Sequence, residues 1–446
     1  MGSGAREKGC MKRKANSSRR RTQPKNILEQ YAKFLDDTTG IFASNREYDL
    51  PWEGSFHVYA GQLKPEFCTA PRTARRAISS TVCGAGITAV EAKLSCVLEA
   101  LERHSGIFRG DEPQRMARYS EIVEDAIHPD ALTLFSESQY RGRESWNQHE
   151  GGYNWVPQRF DDDERSIAWS PAWSLTEQRM KYLPTAYCYF GYPFDPVHDF
   201  CRPDSNGNAA GDTRDDAIVR GFLELVEREC VSVWWYNLVR RPRVEFDGFA
   251  LPHLAAIRNA FAAIGRSADV LDITLHQSVP AFAAISRSEH PHRDDYIFGF
   301  GAHFDARVAL TRALTEMTQL LPAVLADRNP SCFLRADNAP SDMSFLAPDE
   351  QVAAITASSF RQPDKSARRY DVSLCIALAK DCGLEMLVLD QTREDIGLPV
   401  VKVVVPGMRS WWARFAPGRL YTLPVTGGWL TQPRTEAELN PCHLIL

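Results

Sequence analysis

Two stretches of this chain read Glu-x-x-Glu-Arg within apolar sequence: Glu99, Glu102 and Arg103, and then Glu224, Glu227 and Arg228. A third, Arg312 to Gln319, keeps Glu316 in the first acidic place and puts Gln319 in the last. Acids three apart share one face of a helix. Here their neighbours are Leu, Val and Phe rather than the Lys and Gln of a solvated face. A single copy reads most simply as a wet surface with an i,i+4 ion pair. Three copies in apolar frames point elsewhere, because a buried carboxylate is costly unless paired or metal-bound. They suggest a shared acid cluster, whose natural occupant is a hard divalent cation.

Two of the three segments follow small, polar loops. Ser205 to Thr213 is rich in Gly and Asn, and Gly84-Ala85-Gly86 precedes Ser95, Glu99 and Glu102. Small residues before a helix let backbone N–H groups approach a phosphate. Arg312 and Glu316, four apart, share a face. Carboxylates with interspersed arginines suit Mg2+ with a nucleotide. No Gly-x-x-x-x-Gly-Lys loop occurs, and Gly84-Ala85-Gly86 lacks the third glycine of a dinucleotide fingerprint.

The elements that must position these residues alternate. The patterning predicts helices over 27–35, 89–108, 214–238 and 305–321, with Pro322 ending or kinking the last. Strands are expected at 167–173, 183–189, 281–286, 296–301, 384–390 and 400–405. Residues 110–165 read as an elaborated connection. The fold class is therefore α/β (α+β), with β-sheets packed against helices and no Walker-type phosphate loop. A loop leading into an acidic helix occurs three times, which resembles a degenerate internal repeat, with identities too sparse to establish one.

Composition narrows the function classes. With 446 residues, 44% hydrophobic and 24% charged, the chain is globular in type. It has no apolar run of membrane-spanning length and no signal-peptide core; Arg19-Arg20-Arg21 lacks the apolar run of a twin-arginine signal. A cytoplasmic location and no membrane partner are expected. Residues 1–25 carry a net +8 and the remainder −13. The divisions expected are a disordered basic tail at 1–26, an N-terminal segment at 27–59 and the main domain at 60–446. The acidic body argues against nucleic acid as a partner. Eleven cysteines, none in a Cys-x-x-Cys pair, read as reduced thiols, and His290 with His292 reads as a surface loop.

Four motifs together resemble the YcaO family, and within it the ATP-dependent cyclodehydratase (D protein) of thiazole/oxazole-modified microcin biosynthesis. They are Ser95-x-x-x-Glu99-x-x-Glu102-Arg103; Ser205 to Thr213 with Glu224, Glu227 and Arg228; Arg312-x-x-x-Glu316-x-x-Gln319; and Leu398 to Gly407 with Trp411-Trp412 and Pro417 to Leu420. The resemblance spans roughly residues 60 to 446. It implies Mg2+ held by Glu99, Glu102, Glu224, Glu227 and Glu316, and ATP contacted by Ser95, Asp212 or Asp216, Arg228 and Arg312. It implies catalytic roles for Glu316, Gln319 and the terminal carboxylate of Leu446. The implied chemistry is on a precursor peptide. A Cys, Ser or Thr side chain attacks the preceding carbonyl, ATP phosphorylates the amide oxygen, and phosphate leaves to give an azoline.

The expected partners are that peptide, a separate leader-peptide-binding protein and a flavin-dependent azoline dehydrogenase, with a homodimer inside a larger complex. The chain departs from the family pattern at Ala85, where Lys is frequent, and at Asp212, where Asn is common. It ends Asn440 to Leu446 with one proline, where many azoline-forming members carry a Pro-x-Pro-x-Pro tail. Thioamide or amidine formation, and a non-catalytic peptide-binding scaffold, are the alternatives.

Overall fold

Three antiparallel sheets and three long helices carry the acidic motifs. The computed structural model describes residues 24–36, 39–50, 56–67, 80–160, 165–193, 199–290, 295–325, 334–335, 342–360 and 371–444. The basic tail up to residue 23, along with Ile445 and Leu446, falls outside them.

Helix α1 (Pro24–Gln30) is followed by β1 (Phe42–Glu47), β2 (His57–Leu63) and β3 (Thr81–Gly86), which pair in that order as the first sheet. Helix α2 (Ala89–Ser105) packs on β3 and β2. The connection beyond it holds β4 (Arg115–Ala117), α3 (Pro129–Thr133), α4 (Glu137–Arg141) and α5 (Arg143–His149). Next come β5 (Ile167–Ser174), β6 (Arg179–Pro184), α6 (Thr185–Cys188) and β7 (Asn208–Ala210), and then α7 (Arg214–Tyr236). Helix α8 (Pro252–Ala263), β8 (Asp269–Asp272), β9 (Ala281–Arg287) and β10 (Asp295–Ala302) lead into α9 (Ala306–Gln319) and α10 (Leu321–Leu325). The last elements are β11 (Leu334–Arg335), α11 (Val372–Asp381), β12 (Leu387–Asp390), β13 (Val400–Val404) and α12 (Arg419–Thr426). The second sheet runs β11-β10-β9-β8, and the third β4-β5-β12-β13-β7 with β6 on β5.

Each long helix starts on a polar cap. Thr88 and Glu91 form a reciprocal capping box, the Thr213 hydroxyl accepts from the Asp216 N–H, and the Asp305 carboxylate accepts from the Arg307 N–H. Counted from those caps, the three units are in register. The first acid lies eleven positions on, at Glu99, Glu224 and Glu316, and the second place lies fourteen on, at Glu102, Glu227 and Gln319. The units also pack head to tail. Besides its own strand, α2 meets β7, α7 meets β10 and α9 meets β3, so the three close on one another. The repeat that identities could not establish is thus present in the geometry.

Two expectations change. Gly84-Ala85-Gly86 lies in strand β3, and Asn208 to Ala210 form strand β7, where loops were expected. A Cβ on Gly84 would land on the backbone of Ala92 and Cys96, and one on Gly301 on that of Ala309 and Ala313. The glycines there let α2 and α9 ride close on their strands. The predicted strand at 183–189 is the end of β6 followed by the helical turn α6, since Pro184 has no N–H to continue the ladder.

The C-terminal half of α7 is the centre of the largest core. Trp234, Trp235 and Tyr236 are buried there with Phe298, Phe300, Phe345, Trp411 and Phe415. Leu444 joins this core; the Trp235 indole donates to the Cys442 carbonyl at 2.7 Å, and His443 stacks on Trp146.

Candidate functional site

The first acids of units one and three reach back to their own strand. Glu99 accepts from the Cys83 N–H at 3.0 Å, and Glu316 from the Phe300 N–H at 2.5 Å. The second acids reach forward to the next unit's strand. Glu102 accepts from the Ala210 N–H at 3.2 Å, and Glu227 from the Ala302 N–H at 3.1 Å. The sheets thus fix the direction of four carboxylates without neutralising them.

Arginines brace two of the five. Arg103 pairs with Glu99 at 2.5 Å, and Arg228 with Glu224 at 2.8 Å. The Arg228 guanidinium lies 3.2 Å from the centre of the Trp411 ring, which fixes its plane. Glu99 and Glu224 keep 32% and 22% of their side-chain surface, so the acids line an opening rather than a sealed core.

Negative charge is under-compensated in this ring. Burial, and then the fields of Glu224 and Glu99, push Glu102 up to about 8. Burial and the nearby Glu227 raise Glu316 to about 8. Burial raises Glu224 to about 7, with Glu227 adding and Arg228 opposing. Glu99 and Glu227 are raised by burial against the pull of Arg103 and of Arg228 with Arg312, respectively.

Among the described residues no group of three or more His, Cys, Asp or Glu side chains is gathered as a ready metal cage. The donor set still fits Mg2+ with phosphate, because Mg2+ at such sites takes one or two carboxylates and completes its shell with phosphate oxygens and water. An uncompensated set of partly exposed carboxylates is what such an ion would relieve.

The other expected residues fall around this ring. Ser95 is exposed on α2, one helical turn before Glu99, and Arg312 holds the corresponding place on α9. Asp212 is exposed just before the α7 cap. Asp216 lies in the first turn of α7, where its carboxylate accepts from the Thr213 hydroxyl at 3.1 Å. Gln319 closes α9, half-buried. Leu446 lies outside the described residues.

Three residues gain roles that spacing did not reveal. Lys402, fully buried in β13, donates to the Asp204 and Asn206 carbonyls and to the Asn208 side chain, pinning the loop before β7. Its signal was one Lys in an otherwise all-Val strand. Trp411 supports Arg228. Glu229, completely buried two residues past Glu227, takes both arms of Arg419 and the His276 ring.

Residues 83–409 match the family model described as YcaO cyclodehydratase, ATP- and Mg2+-binding. A heterocyclase solved in complex with substrate and cofactor is 40% identical with a TM-score of 0.85, over 94% of this chain and 57% of that one. The heterocyclase TruD is 44% identical with a TM-score of 0.71, over 81% and 51%. The YcaO protein of Methanopyrus kandleri, bound with AMPPCP and Mg2+, shares the fold at a TM-score of 0.61 and 18% identity, over 89% and 96%. This chain spans just over half the length of the two heterocyclases.

Proposed function

We propose that this chain, which belongs to the YcaO family, is an ATP-dependent cyclodehydratase that converts Cys, Ser or Thr of a ribosomally made precursor peptide to azolines. The observation that carries the reading is the ring of five glutamates set by three caps in register. A scaffold without phosphoryl chemistry has no use for so much unneutralised charge. Likeness at 40% and 44% identity to heterocyclases favours azoline formation over thioamide or amidine products.

The chain's own residues orient and balance charge. Glu99, Glu102, Glu224, Glu227 and Glu316 would hold Mg2+, which would supply positive charge to neutralise the phosphates. Arg228, held flat on Trp411, and Arg312 face the same ring and suit phosphate oxygens. Ser95, one turn before Glu99 on α2, and Asp212 or Asp216, at the start of α7, are the proposed nucleotide contacts. Glu316 and Gln319, one turn apart on α9, are the proposed catalytic pair on the peptide side.

In the reaction the peptide thiol or hydroxyl adds to the preceding carbonyl carbon. The amide oxygen takes the γ-phosphoryl group, ADP leaves, and phosphate then departs with the oxygen as the C=N bond forms. The balance is one water removed from the peptide and one ATP converted to ADP and phosphate. Hydroxide is a poor leaving group and phosphate a good one, so the ATP is consumed for chemistry.

A leader-peptide-recognising part and a flavin-dependent dehydrogenase complete the proposed pathway, with the enzyme acting as a homodimer in the cytoplasm. No described helix is long and apolar enough to cross a membrane. Incubating the protein with ATP, Mg2+ and a Cys-containing precursor peptide tests the reading. One water mass lost per ring, with matching ADP release, is expected. In a parallel reaction supplied with sulfide, ATP turnover with a peptide oxygen replaced by sulfur would identify thioamide formation instead.

A further inference from the structure

Away from the acid ring, a second set of chemical groups is assembled from four parts of the chain. Cys382 follows the last residue of α11. Its sulfur lies 3.8 Å from Nδ1 of His276. The other ring nitrogen, Nε2, lies 3.1 Å from Oε2 of Glu229. Glu229 in turn takes Nε of Arg419 at 2.7 Å and Nη2 at 2.5 Å. His276 keeps 8% of its side-chain surface and Glu229 none.

The charges decide the state of this set. Arg419 forms a two-armed pair with Glu229 and neutralises it. Nε2 faces the Glu229 carboxylate and donates to it, so Nδ1 either accepts from the Cys382 thiol or, once it has taken that proton, donates to the thiolate. The second arrangement sets an imidazolium between two anions, the Glu229 carboxylate and the sulfur of Cys382. The C-terminal end of α11 opposes a thiolate there, so the stabilisation has to come from His276 and Arg419. In keeping with this, the hydrogen bond to His276 outweighs burial and lowers the Cys382 thiol. Burial works to lower His276, but Cys382 and Glu229 overcome it and lift the ring to about 9. Burial raises the thiols of Cys96, Cys188, Cys201, Cys230, Cys375 and Cys442 instead.

The sulfur is also approachable. Cys382 is only half-buried, and the next residue, Gly383, is exposed at a φ of +69° with open space where a side chain would stand. We propose that Cys382 is a reactive thiolate, held by His276 and Glu229, that undergoes exchange with small disulfides. The thiolate attacks one sulfur of the disulfide. The reagent's S–S bond breaks, a Cys382–S–S–R bond forms, and RS− departs. The sulfur of Cys382 is oxidised as the departing sulfur is reduced, and His276 keeps its proton throughout.

The test uses the full chain with the chromogenic disulfide 5,5′-dithiobis(2-nitrobenzoate) at about pH 6, where an ordinary thiol near pKa ~8.5 is almost wholly protonated. One equivalent is expected to react about tenfold or more faster than the remaining thiols, with the adduct mapped to Cys382 by peptide mass spectrometry. Cys382→Ala should remove that equivalent. His276→Gln should slow it and move its rate–pH midpoint up into the ordinary thiol range. Should that variant fail to fold, the wild-type rate–pH profile decides, since a reactive Cys382 keeps its rate below the ordinary thiol range. A fast equivalent surviving in Cys382→Ala, or a wild-type midpoint at the ordinary thiol value, overturns the proposal.

Discussion

Glu227 and Glu229 stand two residues apart on α7 and live in opposite electrostatic worlds. Two residues turn a helix through more than half a revolution, so they face different neighbours. Glu229 meets Arg419, His276 and the Arg409 N–H, and although burial alone would push it up, these hold it at about 2. Glu227 meets Glu224, Glu316 and one backbone N–H, and burial leaves it raised even against the fields of Arg228 and Arg312. The same helix thus carries one carboxylate completed by the protein and others left incomplete. A structural acid brings its own cations. The ring acids are set by four backbone N–H donors and two arginines, and together are left short of positive charge.

The largest expected effect comes from exchanging these roles. Glu224→Gln or Glu316→Gln should abolish ATP turnover while leaving apo stability equal or higher, because a repelling charge is removed. Glu229→Gln should do the reverse to the fold. It strands Arg419 and His276 in the interior, at a cost of about 3–5 kcal/mol. Chemical denaturation alongside ADP release separates the two classes. Turnover surviving in both ring variants would make those acids structural and collapse the contrast.

The pH dependence divides the same way. Glu229 is held well below the ordinary carboxylate value, so its contribution is complete above that value and disappears as pH falls toward 2. Glu102, Glu224 and Glu316 are raised to about 8, 7 and 8, so the folded chain binds protons the unfolded chain has released. The apo protein should therefore gain stability as pH falls from about 9 toward 5, then lose it in acid. Thermal melts across that range with Mg2+ and ATP present should show a shallower upper limb. An upper limb unchanged by the ligands would mean they bind elsewhere.

The acid ring was legible because helix periodicity is local. Eleven and fourteen positions from a cap are distances a sequence displays, once the cap is known. What remained hidden depends on pairing across the chain. Spacing singles out Glu227 but does not show that Glu229 is neutralised, since Arg419 lies almost two hundred residues away. Strands β1 and β2 fall within a stretch rich in Gly, Pro and aromatics that reads as irregular, and β3 carries two glycines that read as a loop. Their strand identity comes from the β1-β2-β3 ladder and from α2 pressing on it. Helix α11 and the role of Trp411 were hidden for the same reason.

A smaller effect should follow from the support of Arg228. Trp411→Leu keeps an apolar side chain but removes the ring face under the guanidinium, an interaction of about 0.5–2 kcal/mol, and leaves a cavity in the core. ATP affinity measured by calorimetry on the folded variant should fall several-fold, alongside a lower melting temperature from the cavity. A large stability loss with unaltered affinity would instead place Trp411 wholly with the core it shares with Tyr236, whose hydroxyl donates to the Trp411 carbonyl at 2.8 Å.

The smallest change tests whether the three units are equivalent. In units one and two the fourteenth residue after the cap is Glu, and each reaches the N–H three places before the next unit's cap, at Ala210 and Ala302. In unit three that residue is Gln319, and the matching N–H is that of Ala85 on β3, the strand against which α9 packs. The Cys83 N–H, already bound to Glu99, is two residues away and so points to the same edge of the strand. Gln319→Glu would add a sixth acid at a place shaped for one. Without ligand it should lower stability by about 1 kcal/mol or less, through repulsion with acids already raised by burial and by one another. Mg2+ should reverse that loss, and turnover should change far less than in Glu316→Gln. A Gln319→Glu protein that melts like the wild type with and without Mg2+ would show that unit three opens out of the ring at its last turn.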